Sequence, residues 1–307
     1  MFTPKPLFKG ARIALLAAAS SCDCVDAEHC REIVEKSKKV LEEKGLVPVV
    51  MPSCYLTYGY LSGTDEERAK DIMDAFTDPQ IDGIISIRGG YGTQRLLDLL
   101  DYDVIRKNPK WVGGYSDITA LHVMLNQNGI VSYHCPMPST EIMHGLDEYT
   151  DKWLDRCLFG GLTGELPSTT EVKVLFEDAP QTAEGLLCGG NLSLVSSSLG
   201  TPYEIDTKGK ILFLEDLHEA LYRLDGMFNH LRLAGKFKDA AGILLGYWID
   251  CPDEKGVMEL ETVLRDMIPA DKPVLYNYSC GHSLPTMSLP LGEKARIDLK
   301  TKTLTIL

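Results

Sequence analysis

The chain has 307 residues and a net charge of −13, from 31 Lys and Arg against 44 Asp and Glu. Hydrophobic residues make up 44 %, too much for a disordered chain, and the acidic balance argues against a nucleic-acid binder, which needs clustered Lys and Arg. The length suits two domains, each able to bury its own core.

Ile13–Ala19 is an apolar run of seven residues, far short of the 18 or so that a spanning helix needs. Lys5, Lys9 and Arg12 before it and Cys22 after it resemble a signal or lipoprotein anchor, but Pro4 and Pro6 interrupt the approach. The run reads as a buried first strand, and no membrane segment is expected. Ala27–Lys44 reads as a helix with Asp26 as N-cap and Gly45 as the stop. Leu46–Met51 is a second strand. Thr64-Asp65-Glu66-Glu67 has the form of a capping box and opens a helix to about Phe76. Ile81–Ile87, Trp111–Tyr115 and Ile130–Tyr133 are further strands, with a helix over Asp117–Asn128. Strand–helix alternation at this spacing predicts a parallel sheet with helices on both faces.

Pro136 and Pro138 close this block. The sequence therefore predicts a nucleophile-bearing α/β domain over 1–136, a connection over 137–180 and a second domain over 181–307. In the latter, strands are expected at Ile211–Leu214, Ile243–Trp248 and Val274–Tyr276, preceded by one at Val172–Phe176. Helices are expected at Asn191–Leu199, Glu219–Leu233 and Met258–Met267, and a closing hairpin at Ala295–Leu307. Nine scattered cysteines without a C-x-x-C pair read as reduced thiols rather than a disulfide framework. Cys22, Cys24, His29 and Cys30 lie close in sequence, but their spacing matches no common zinc pattern, and no metal is expected.

The sharpest chemical feature is Val112-Gly113-Gly114-Tyr115-Ser116-Asp117-Ile118-Thr119. An apolar strand runs into a serine and a helix follows at once, which lifts the hydroxyl to the carboxyl end of the sheet. The pattern is related to the G-x-S-x-G elbow, with Ile118 in place of the last glycine. Ser116 is thus either a nucleophile or a helix cap. Arg88-Gly89-Gly90-Tyr91-Gly92 follows another strand and completes neither a dinucleotide nor a P-loop fingerprint. An oxyanion hole fits it better, with one amide from Gly90 and one from Asp117. A serine nucleophile needs a base and a group that orients it. His282, in the loop Cys280-Gly281-His282-Ser283, is the preferred base; His134 is weaker, and His122 is expected to be structural. Glu215 is first out of the strand Ile211–Leu214, with Asp216 as the reserve acid. A pure binding module, with Ser116 only a cap, is the competing reading.

Together, Arg88–Gly92, Gly114-Tyr115-Ser116-Asp117, Gly189-Gly190-Asn191-Leu192, Leu214-Glu215-Asp216 and Gly281-His282 resemble the LD-carboxypeptidase family, the S66 serine peptidases, in that family's order and over nearly the whole chain. The resemblance implies a triad of Ser116, Glu215 and His282. It also implies a Rossmann-like or flavodoxin-like N-terminal parallel-sheet domain and a smaller β-rich α/β C-terminal domain. It implies a cytoplasmic homodimer acting on a small murein peptide, with no cofactor, no nucleic acid and no membrane. The bond cut is that between an L-centre diamino acid and a C-terminal D-alanine. Asn191 matches a family position near the substrate, and Arg88 is a candidate anchor for the terminal carboxylate. A sister branch resembles the microcin immunity peptidases, which cut an aminoacyl-nucleotide antibiotic. Tyr247-Trp248-Ile249-Asp250 lacks the Glu expected there in that branch, whose chains are also longer.

Overall fold

A computed structural model describes residues 1–253 and 255–307, which divide into two compact units. The first comprises Met1–Gly161 with Ser288–Pro290. Its sheet begins with β1 (Arg12–Leu16), β2 (Val47–Val50), β3 (Gly83–Ser86), β4 (Trp111–Gly114) and β5 (Ser132–His134). These run parallel in the order β2-β1-β3-β4-β5, and the late segment Leu289–Leu291 lines the β5 edge. The parallel sheet expected from the alternation is therefore present. β1 stops at Leu16, earlier than its apolar run, because side chains take over from strand pairing. Ser53 Oγ accepts from the Ala17 N–H at 3.1 Å, and Ser62 Oγ donates to the Ala17 and Ala19 carbonyls at 2.9 Å each.

The helices follow their sequence signals. In α1 (Ala27–Glu43), the Asp26 carboxylate accepts from the Glu28 and His29 amides, and Cys30, Val34, Ser37 and Leu41 form the buried face at helical spacing. α2 (Asp65–Thr77) opens on the expected capping box, Thr64 with Glu67. After α3 (Tyr102–Lys107), α4 (Thr119–Gln127) follows Ser116 through a single 3₁₀ turn. One cluster under the sheet gathers Ala14, Leu16, Ile72, Phe76, Ile84, Val112, Ile118 and Leu121, all nearly inaccessible. α5 (Glu148–Phe159), within the stretch expected to be a connection, belongs to this unit: Asp147 caps it, Trp153 and Leu154 are buried, and the Trp111 indole donates to the Cys157 carbonyl at 3.2 Å. The boundary between units accordingly falls at Gly161, not Pro136.

The second unit comprises Leu162–Met287 with Leu291–Leu307. Its eight-stranded sheet contains β6 (Gly164–Leu166), β7 (Lys173–Val174), β8 (Thr182–Asn191), β9 (Ile211–Leu217), β10 (Gly242–Ile249) and β11 (Val274–Tyr276). The segment Leu289–Leu291 is β12, and the hairpin β13 (Lys294–Asp298) and β14 (Thr303–Ile306) ends the chain. The order is β6-β14-β13-β8-β9-β10-β11-β7. The centre β8-β9-β10-β11 is parallel and the flanks antiparallel, a smaller and more β-rich unit than the first. Its helices are α6 (Leu192–Ser197), α7 (Leu221–Leu233), α8 (Lys236–Asp239) and α9 (Leu260–Met267). No helix among the described residues is long and apolar enough to cross a membrane.

Candidate active site

Ser116 stands two residues beyond the end of β4, where the chain passes into the 3₁₀ turn that leads to α4. Its φ is +62°, left-handed backbone that a side-chain-bearing residue adopts at a cost. A plain N-cap has extended φ and ψ, so this backbone fits an exposed elbow better than a cap. The turn is fixed from beneath by His122, fully buried on α4. One imidazole nitrogen, Nε2, is 2.9 Å from the Gly114 carbonyl and the other, Nδ1, is 2.9 Å from Ser132 Oγ. Burial holds the imidazole pKa down to about 4, so Nε2–H donates to Gly114 while Nδ1 accepts from Ser132.

The glycine loop after β3 comes directly against this serine. A Cβ on Gly89 would sit 2.8 Å from Ser116 Cβ and 3.0 Å from its hydroxyl. Only glycine permits that approach. Gly90 is exposed, and Tyr91 N–H donates to Ser20 Oγ at 3.1 Å. The Asp117 side chain is buried and accepts from the Thr93 N–H at 2.7 Å. Burial raises its pKa above the usual carboxylate value. Arg88 is half-buried, and its Nη1 donates to the Ser21 and Cys22 carbonyls at 3.1 and 3.3 Å. Tyr115 and His134 rings lie 5.3 Å apart, and His134 is only 2 % exposed, which makes it a poor base.

In the second unit the structure brings Glu215 and His282 together. Glu215 is fully buried in β9, and its Oε2 lies 2.6 Å from His282 Nδ1. The imidazole itself is 9 % exposed. Beside the carboxylate, Nδ1 carries the proton and donates it to Glu215. The histidine loop is pinned: Thr286 Oγ1 accepts from Gly281 N–H and donates to its carbonyl, and Tyr247 OH donates to the Pro285 carbonyl at 2.8 Å. A Cβ on Gly281 would fall 2.8 Å from Glu215 Oε2. Burial and the neighbouring Glu215 raise the Cys280 thiol pKa well above normal, so this cysteine is no rival nucleophile.

The reserve acid is otherwise engaged. Asp216 accepts from Asn191 Nδ2 at 2.9 Å and from Ser193 N–H and Oγ at 2.9 and 2.8 Å. Asn191, beside Glu215 in the β8–β9 register, is 2 % exposed, and its Oδ1 accepts from the Leu194 N–H. Both ends of its amide are thus used within the unit. Of the cysteine–histidine group near the N-terminus, His29 pairs with Asp23 at 2.8 Å and Cys30 Sγ donates to the Cys54 carbonyl at 3.5 Å. Sequence reading passed over Arg68, fully buried between the glycine loop and β1. Only its place three residues after Asp65 on α2 hinted at a paired charge.

Residues 13–135 match the model of the LD-carboxypeptidase N-terminal domain, and residues 184–297 that of the LD-carboxypeptidase C-terminal domain. A Bacillus subtilis protein named "Probable murein peptide carboxypeptidase" is 40 % identical over 99 % of this chain and 94 % of its own. The Escherichia coli microcin C7 self-immunity protein MccF is 29 % identical over 87 % of this chain and 85 % of its own. The crystal structure of an MccF-like protein from Bacillus anthracis superposes with a TM-score of 0.86 at 29 % identity, covering 100 % of this chain and 99 % of that one.

Proposed function

The chain belongs to the LD-carboxypeptidase family and is a serine-type carboxypeptidase, and we propose that it removes a C-terminal D-amino acid from murein tetrapeptides during cell-wall recycling. In this reading Ser116 is the nucleophile, His282 the base and Glu215 the group that orients it. The observation that carries it is the buried Glu215 carboxylate 2.6 Å from His282 Nδ1, the arrangement an acyl-transfer base needs. The left-handed backbone of Ser116 at the mouth of β4 supports the nucleophile assignment.

The chemistry is ordinary acyl transfer. Ser116 Oγ attacks the carbonyl carbon before the terminal residue and its proton passes to His282 Nε2. The charge on the imidazolium is balanced by Glu215. The amides of Gly90 and Asp117 receive the oxyanion. The tetrahedral intermediate collapses as Nε2–H protonates the departing amine, which leaves as a free D-amino acid. Water then attacks the acyl-enzyme, with His282 again as base, and restores Ser116. These steps call on no metal or organic cofactor.

An exopeptidase must recognise a free carboxylate, and Arg88 is assigned that role through charge-assisted hydrogen bonding. Asn191, with both ends of its amide engaged, is assigned to holding Asp216 and the start of α6 at the end of β8, beside Glu215, rather than to touching substrate itself. On the family's pattern the enzyme works in the cytoplasm as a homodimer.

The test is mass spectrometry of the purified protein incubated with peptides bearing an L-centre diamino acid before the last residue. A terminal D-alanine should be released, whereas a terminal L-alanine or an amidated D-alanine should survive. Equal rates on the L-terminal peptide would remove the stereochemical assignment, and equal rates on the amide would remove the exopeptidase one. The likeness to the microcin C7 self-immunity protein favours a second reading, cleavage of an aminoacyl-nucleotide. Turnover of an aminoacyl sulfamoyl adenosine with none of the tetrapeptide would establish it instead.

A further inference from the structure

We propose that Arg68 is a positioning residue for the reaction, acting through one peptide group that joins the glycine loop to the nucleophile turn. The inference rests on the serine acyl-transfer reading above. Arg68 lies on α2, outside every motif that suggested function, and its guanidinium is fully buried. Burying that charge is costly unless its donors are met. Nη2 pairs with the Asp65 carboxylate, and Nη1 donates to two carbonyls, those of Ala18 and Gly92, at 2.5 and 3.0 Å. Ala18 lies just past the end of β1, and Gly92 ends the glycine loop.

The Gly92 carbonyl and the Thr93 N–H belong to the same peptide unit. Arg68 holds its oxygen, and Asp117 Oδ2 holds its N–H at 2.7 Å. This peptide is therefore clamped between a buried cation and the buried carboxylate of the residue that follows Ser116. Three residues earlier, Gly89 touches Ser116 itself. The clamp fixes the spacing between the loop amide and the turn amide assigned to the oxyanion. The clamp requires glycine at 92: its φ is +126°, and a Cβ there would meet Leu61 Cδ2 at 2.5 Å and Arg68 Nη1 at 2.8 Å. Asp65 is in turn held by Arg95, whose Nε and Nη2 reach its carboxylate at 3.0 and 2.8 Å, so the cation is anchored from the solvent side as well.

Removing the guanidinium leaves the reacting groups in place and frees the Gly92–Thr93 peptide to tilt. Small misplacement of an oxyanion donor costs on the order of 10²-fold in rate. The experiment compares wild type, Arg68→Met and Arg68→Lys by thermal unfolding, by kcat and KM on the D-alanyl peptide, and by the rate at which a serine-directed phosphonate phosphonylates Ser116. Folded Arg68→Met is expected to lose about 10²-fold in kcat with KM within about twofold. Its phosphonate labelling should slow in proportion, and low concentrations of guanidinium ion should partly restore both rates. Arg68→Lys keeps the charge but cannot reach both carbonyls and Asp65 together, and should fall between. Unchanged kcat in either folded variant overturns the proposal, as does a loss confined to KM; Arg68→Lys decides if Arg68→Met does not fold. Failure of the underlying reading is distinct, since wild type would then neither label at Ser116 nor cleave.

Discussion

Acid should weaken the turn between β4 and α4 through His122, and the size of the effect follows from its surroundings. The imidazole is fully buried with both nitrogens engaged, and burial lowers its pKa from 6.5 to about 4. In the unfolded chain it titrates near 6.5. Between these values the unfolded state binds the extra proton, so stability rises with pH across that window. The contribution is fully present above pH 6.5 and is lost as pH falls towards 4, amounting to about 3 kcal/mol. Protonation also denies Ser132 its acceptor at Nδ1. Urea unfolding of wild type and His122→Asn at several pH values isolates the effect. The variant should be the less stable at pH 7, having lost two buried hydrogen bonds. The gap between the two should then shrink by about 3 kcal/mol on going to pH 4. A gap that stays constant across the window would show that the buried neutral imidazole is not what the acid attacks.

Three further substitutions read separate parts of the account. Gly89→Ala places a methyl 2.8 Å from Ser116 Cβ, and should reduce kcat about 10²-fold while costing about 1–3 kcal/mol in denaturant unfolding. Gly226→Ala, in the exposed middle of α7 with nothing near its Cβ, should instead gain up to about 1 kcal/mol in the same assay and leave kcat unchanged. Glu215→Gln keeps the shape beside His282 Nδ1 but not the charge, and should lower kcat about 10⁴-fold with KM little altered; normal turnover would remove Glu215 from the mechanism.

Elements with strong local signals were legible in the sequence. The Thr64–Glu67 capping box, the Asp26 cap and the Val274–Tyr276 strand stand where they were expected. The parallel alternation of the first unit also follows from pattern alone. β8 was missed because glycines at 185, 189 and 190 remove the side chains that would have shown a period of two. α5 was missed because Pro136, Pro138 and Gly160-Gly161 suggested a linker, although Thr150, Trp153, Leu154, Cys157 and Leu158 carry a clear helical face. At the site, residue types and strand ends brought out Ser116, Glu215 and His282. The sequence already prefers Glu215 to Asp216 as the first residue past the apolar run, and the hydrogen-bond partners of the two adjacent carboxylates follow that preference, Glu215 meeting His282 and Asp216 meeting Asn191. Arg68 was illegible: its partners are backbone carbonyls 24 and 50 residues away, and carbonyls leave no mark in a sequence.

The central claim, that Ser116 is the nucleophile of a carboxypeptidase, is tested most directly by intact-protein and peptide mass spectrometry after treatment with a serine-directed phosphonate. The account predicts one adduct per chain on Ser116, loss of D-alanine release in parallel with labelling, and neither labelling nor turnover in a folded Ser116→Ala protein. Retained turnover in folded Ser116→Ala, or an adduct at another residue that tracks the loss of activity, would contradict it.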